Sequence, residues 1–296
     1  MYIAVRIRVL FVLLALWLCA CKPAAEEEGG RERAILGAVL IDGAGGPPLA
    51  DSVVLIGGGR IRAVGRRSEV PIPDNADRIN GSGKYLVPAL VDLCDKAEVA
   101  GLVRASSAED ARQQVSRLAA AKAPVIYLDR NPAHVVEAAL EAARADHIPA
   151  TARFATQSEA RLLVDGGVSN LIGMIHDTED LDSALLARWR NLRIPVAPVL
   201  SRAGPDEPVA KRNTLRVFRA GVPVALASLG DDLVHEAELL ADAGIPPLDV
   251  LAAAARGANI AAGRPADLLL LDANPGEDVR NLRRVVLRFH GGALIK

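Results

Sequence analysis

The sequence predicts an α/β fold. A parallel, barrel-like array of about six strands, each followed by a helix, occupies residues 86–262, and a small β-sandwich is assembled from the flanks 34–85 and 263–296. Three observations carry this. After Pro88 the chain alternates β-rich runs with helical stretches, the pattern of a parallel sheet with helices packed outside it. Before Pro88 and after about residue 263 it is β-rich without helical periodicity. Aromatic residues make up only 3% of a chain that is 51% hydrophobic, so the core must be built from Ala, Val, Leu and Ile, as in alternating strand and helix layers.

The elements follow in order. "AILGAVLIDG", "DSVVLIGGGRIRAVG" and "ADRINGSGKYLV" supply the first flank, and Gly57-Gly58-Gly59 between two Val/Ile runs predicts a hairpin. "LVPALVDLCDK" (86–96) reads as the first strand of the array. Ser106 with Glu109 predicts a capped helix start, with Ala111, Val115 and Leu118 facing inward. "APVIYLD" (123–129) reads as a buried strand. Asn131-Pro132 then opens a helix with Val135, Val136, Ala139, Leu140 and Ala143 on one face. "IPATARFA" (148–155) leads to Thr156 and Glu159, a capping box whose helix stops at Gly166-Gly167. "VSNLIGM", "IPVAPVL" and "GVPVALAS" continue the series, and "ADLLLLD" and "RRVVLRF" return to β runs. These are about six strands, where a closed (β/α)₈ barrel has eight. Between the first strand and "APVIYL" there is chain for only one helix, so the array is expected either to close tightly or to leave an exposed parallel edge, which self-association or a partner would cover.

The first 33 residues read as an address. Arg6 and Arg8 precede an apolar run from Val9 to Leu18 that is too short to span a bilayer comfortably. Leu18-Cys19-Ala20-Cys21 follows and resembles a bacterial lipobox. On that reading residues 1–20 are a signal peptide, Cys21 is lipidated, and 21–33 ("CKPAAEEEGGRER") are a polar tether. An ordinary cleaved signal with a fortuitous cysteine is the alternative. The expected location is the bacterial cell envelope, anchored by lipid and facing the periplasm. Cys94 is then the one thiol of the mature chain, which leaves no intrachain disulfide. With 51% of residues hydrophobic and a formal net charge of −1, the composition points to neither disorder nor a nucleic-acid footprint.

In their order, these motifs resemble the amidohydrolase superfamily, in the imidazolonepropionase/prolidase-like branch that joins a composite β-sandwich to a TIM-like barrel. "GKYLVPALVDLCDK" is similar to Gly-Lys-x-Leu-x-Pro-Gly-Leu-Ile-Asp-x-His-x-His, with Ala89 in place of Gly. "GRPADLLLLDANPGEDVRNLRRV" is similar to the family's return strand, and the likeness runs from about Ala34 to Lys296. The resemblance implies one or two zinc ions held at strand C-termini, where barrels place their chemistry. It also implies that every ligand position has changed. Cys94 and Lys96 stand at the first-strand histidines, Tyr127 at the bridging lysine, and Arg153 and Gly173 at the fifth- and sixth-strand histidines. Leu229 stands at the catalytic aspartate.

A divalent ion needs neutral imidazoles and anionic oxygens converging on it. Two cations about 4 Å apart instead cost ~4 kcal/mol at an effective dielectric near 20. No cofactor is therefore expected, and the pocket should carry positive charge, offset by Asp129 pairing with Lys96 or Arg153. His176, Asp231 and His235 are residual candidates on the catalytic face, since a histidine near carboxylates can act as a general base. Solvated loop residues and first-turn acids are the alternative. His134 and His147 read as surface residues, and His290 as part of the terminal sandwich strand. Cys94 reads as a buried structural thiol, or as a reactive one if Lys96 lowers its pKa. The expected function is a non-catalytic binding or assembly subunit, perched on the membrane by its lipid, with a second copy or an active amidohydrolase homologue as partner. A hydrolase of C–N bonds working through a non-standard site is the second class.

Overall fold

The β-rich flanks meet in one sheet. The structure, a computed structural model, describes residues 32–94 and 101–295; the signal, most of the tether with Cys21, and Lys96 lie outside that range. Strands β1 (Arg33–Leu40), β2 (Leu49–Gly57), β3 (Arg60–Arg66), β4 (Asp77–Asn80) and β5 (Tyr85–Pro88) come from the first flank. β10 (Leu268–Leu271), β11 (Val285–His290) and β12 (Ala293–Ile295) come from the last. They form an eight-stranded sheet ordered β12-β11-β10-β5-β1-β2-β3, with β4 paired to β1. The β2–β3 hairpin turns at Gly58 (φ 58°) and Gly59 (φ 74°), two successive positive φ values of the kind that the tight hairpin turn requires.

The sequence predicts a small β-sandwich built from both flanks; among the described residues the two flanks join in one hydrogen-bonded sheet. It curls on itself, because Ile61 N donates to Arg264 O and Ala266 N to Gly59 O. It closes over Ile35, Val54, Ile61, Leu86, Leu268 and Phe289, all buried.

Between the flanks, β6 (Ile126–Leu128), β7 (Ala150–Arg153), β8 (Asn170–Ile172) and β9 (Val196–Ala197) form a parallel four-stranded sheet in sequence order. Helices α1 (Ala108–Ala120), α2 (Ala133–Ala145), α3 (Gln157–Asp165), α4 (Ser183–Leu192), α5 (Glu207–Arg219), α6 (Leu233–Asp242) and α7 (Pro247–Ala255) follow the strands or close the series. The capping box at Thr156 and Glu159 is present, and α2 buries Val135, Val136, Ala139, Leu140 and Ala143 as expected. The α1 cap is one residue later than expected: Ser107, not Ser106, accepts from Asp110 N. Trp189 is the largest buried side chain; its Nε1 donates to Ile194 O, and its ring meets Phe154 edge-on at 5.7 Å.

The sheet's edges correct the six-strand expectation. "LVPALVDLCDK" is not one strand. Its first three residues, with Tyr85, complete the large sheet as β5, because Pro88 ends that ladder opposite Leu268. The chain then crosses over, so that Val91 N donates to Ala254 O and Leu93 N to Leu226 O. The last candidate, "GVPVALAS", extends β9 through a Val196–Val224 bridge rather than a full ladder. A segment that the sequence did not suggest, 101–103, lies beside β6 through a Leu102–Tyr127 bridge. It is too short to show periodicity. Among the described residues, no helix is long and apolar enough to cross a membrane.

Candidate functional site

Side chains from the C-terminal ends of β6, β7, β8 and β9 and of the Leu226 segment meet in two layers. The lower layer is apolar. Leu93, Cys94, Tyr127, Ile172, Ala197, Val199, Ala225 and Ala227 are buried together, with Leu102 and Leu229 packed against them. Three of the six positions that the sequence singled out, Cys94, Tyr127 and Leu229, thus sit in one hydrophobic plug. Cys94 is 6% exposed and Tyr127 2%.

The plug is tied to the first crossing segment by Asp92, which sequence reading passed over. Its carboxylate accepts from Cys94 N at 2.8 Å and from Ser228 Oγ at 2.5 Å. It joins residues 136 positions apart, and only the folded chain reveals that partnership.

Gly173 explains a second departure. Its φ is +104°, and a Cβ there would lie 2.2 Å from Phe154 O. β8 approaches β7 so closely at this point that no side chain fits, imidazole included.

The upper layer is charged. A cavity of about 180 Å³ opens above the plug and is lined by Arg130, Arg153, Arg202, His176 and Glu159, with an apolar remainder that includes Phe154, Ile172 and Val199. Arg153 Nη1 reaches Asp129 Oδ1 at 3.4 Å, one of the two pairings expected for Asp129, and Arg202 Nε reaches Asp231 Oδ2 at 2.6 Å. His176 Nδ1 lies 3.3 Å from Asp206 Oδ2. His235 does not join them. Its Nδ1 faces Glu238 Oε2 at 3.5 Å, within a surface cluster in which Arg283 bonds both Glu238 and Asp232. A position one turn into α6 directs it along the helix instead of toward the cavity.

Arg130 and Arg202 escaped sequence reading because single charged residues after strands look like solvated loop residues, and Glu236, an acid beside His235 in the first turns of α6, looks like a solvated first-turn acid. Glu236 is 1% exposed, and its two oxygens accept from Leu200 N at 2.8 Å and Ser201 N at 3.1 Å. Burial raises its carboxyl above the usual glutamate range, against the lowering effect of its bonds to Ser201 and Leu200.

These residues do not fit zinc. Of the positions the family uses, Cys94 alone carries a metal-donor side chain among the described residues, and Arg153 is a cation. Among the described residues no three His, Cys, Asp or Glu side chains group as a metal site would need.

Known structures place the fold. The chain is similar to a putative prolidase from Bifidobacterium longum, with TM-score 0.74 and 19% identity over 90% of this chain and 94% of that one. It is similar to a Xaa-Pro dipeptidase with bound methionine in the active site (TM-score 0.75, 13% identity, 90% and 100% covered). It is also similar to ochratoxinase from A. niger (TM-score 0.73, 15% identity, 90% and 96% covered). The fold is one that this chain shares with solved prolidases and amidohydrolases. No protein-family model matches the sequence, and no curated protein is significantly similar to it.

Proposed function

We propose that this chain is a lipid-anchored, non-catalytic binding or assembly subunit built on an amidohydrolase scaffold. The observation that carries the reading is the apolar plug: Cys94, Tyr127 and Leu229 pack with Ile172, Ala197 and Ala227 where the family's chemistry would sit. Water activation by a metal needs a cation that lowers the water's pKa toward neutrality. A buried hydrocarbon surface with an arginine at its rim neither holds such an ion nor admits the water.

The mature protein, dialysed with and without added zinc, is expected to contain no stoichiometric metal by elemental analysis. It is also expected to show no chelator-sensitive hydrolysis of dipeptides or aryl amides. One tightly held metal per chain, with hydrolysis lost on chelation, would reverse the reading in favour of a C–N hydrolase. The names of the similar structures, prolidase and dipeptidase, are what speak for that alternative.

The anchor rests on Leu18-Cys19-Ala20-Cys21. Acylation at Cys21 with more than one chain gives stable membrane attachment, where a single chain does not. Cys21→Ser is expected to move the protein from the membrane fraction to the soluble periplasmic fraction. Wild-type protein already soluble in the periplasm would sink the anchor.

A further inference from the structure

The wall of the 180 Å³ cavity has a division of labour. Its cationic part is Arg130, Arg153 and Arg202. Most of its remainder is apolar and includes Phe154, Ile172, Met174 and Val199. The acids nearby are already engaged. Glu159 Oε2 accepts from Ala155 N at 2.8 Å and from Thr156 N at 3.0 Å, so that oxygen is committed to the α3 cap. Asp129 and Asp231 are absent from the cavity wall and hold Arg153 and Arg202 at its rim.

Each guanidinium carries five N–H donors in a fixed fork. Arg153 spends one on Asp129 at 3.4 Å. Arg202 spends Nε on Asp231 and one more, at 3.4 Å, on Leu229 O. Arg130 has no ion pair among the described residues. Donor capacity therefore exceeds what the protein itself uses, in a place whose wall is partly hydrocarbon.

The backbone supplies an independent sign. Arg130 (φ 54°), Val199 (φ 46°) and Leu229 (φ 49°) all line this one cavity, and they are three of the eight non-glycine residues at positive φ among those described. For a β-branched valine that conformation is a genuine outlier, and such strain gathers at ligand clamps.

We propose that this cavity binds a small monocarboxylate with a short apolar tail, its carboxylate held by Arg130, Arg153 and Arg202 and its tail laid against Phe154, Ile172, Met174 and Val199. The planar fork of arginine matches a carboxylate in two-point contact, which a single ammonium does not. A fully polar oxyanion such as phosphate would leave the hydrocarbon wall facing an ion and lose the gain from burying a tail. The inference deepens the binding role proposed above and rests on it. The two fail separately, since chelator-sensitive hydrolysis reverses the first and absent carboxylate binding only the second.

The test is calorimetric titration of the mature full chain in detergent with 3-methylbutanoate, with neutral 3-methylbutanamide and with inorganic phosphate. The carboxylate is expected to bind, with the amide and phosphate weaker by about tenfold or more, the loss of one charge-assisted contact. Arg130→Ala is expected to weaken the carboxylate by a similar factor. Its unfolding midpoint should not move, because the side chain is exposed and carries no side-chain bond among the described residues. Arg202→Lys keeps the charge and should still weaken binding, because the fork is gone. Absence of binding by the wild type, equal binding of the amide or of phosphate, or an Arg130→Ala titration matching the wild type would each overturn the assignment.

Discussion

Gly173→Ala is expected to destabilise the protein by about 3 kcal/mol, the sum of a backbone-strain cost and an overpacking cost. The strain arises because φ is +104°, a region that residues with a Cβ seldom enter. The overpacking arises because the new methyl would lie 2.2 Å from Phe154 O, a backbone atom with little room to retreat. Phe154 N donates to Ile172 O at 3.0 Å and Gly173 N to Ala197 O at 2.8 Å, so relief at this point means parting β7, β8 and β9. Urea unfolding of the alanine variant beside the wild type measures the loss. A difference below about 0.5 kcal/mol, the range of innocuous surface changes, would mean that the strands do not approach as closely as described.

Gly173→His should be worse still, for it adds an imidazole to the same clash. It follows that a histidine cannot be accommodated at this position without moving the strands.

Gly173 also shows where sequence reading reaches and where it stops. Strand–helix alternation, the Thr156–Glu159 box and the Gly58-Gly59 turn were legible because each is a local rule, set by residues within four positions of one another. The departures at Cys94, Tyr127, Arg153, Gly173 and Leu229 were legible as an expectation drawn from the resemblance alone. What replaced the ligands was not. That Cys94, Tyr127 and Leu229 pack into a single plug depends on segments more than a hundred residues apart meeting in the fold. The bond from Asp92 to Ser228 depends on the same meeting. The cationic rim was half seen: Arg153 stood in a motif position, whereas Arg130 and Arg202 stood in none. The end of β5 was misread for a related reason. "LVPALVDLCDK" is continuous in hydrophobicity, and only the ladder opposite Leu268 reveals that Pro88 ends one sheet before the chain crosses to Leu226.

Glu236→Ala is expected to cost about 3 kcal/mol at neutral pH, because two backbone N–H groups lose their acceptor in a dry place and each such orphan costs about 1–3 kcal/mol. Those groups, Leu200 N and Ser201 N, open the short 3₁₀ turn Leu200–Arg202, whose first donors have no partner of their own within the turn. Val199, at φ 46°, leads into that turn and Arg202 ends it, so Glu236 holds both the strained residue and one of the rim cations in place.

The glutamine variant separates charge from shape. Its single side-chain carbonyl can accept from one of the two N–H groups, which leaves the other unmet. Burial has raised the folded pKa of Glu236 above its unfolded value. Its favourable contribution to stability is thus fully present below the unfolded pKa and is lost as pH rises through the folded one. The wild type's advantage over Glu236→Gln should accordingly be larger in mildly acidic buffer than at neutral pH, as read by denaturant unfolding across that range. An advantage that instead grows as pH rises would mean that the carboxylate is stabilised in its charged form, as a binding-site anion would be. Glu236 would then have to be counted among the charges of the cavity rather than as the support beneath it.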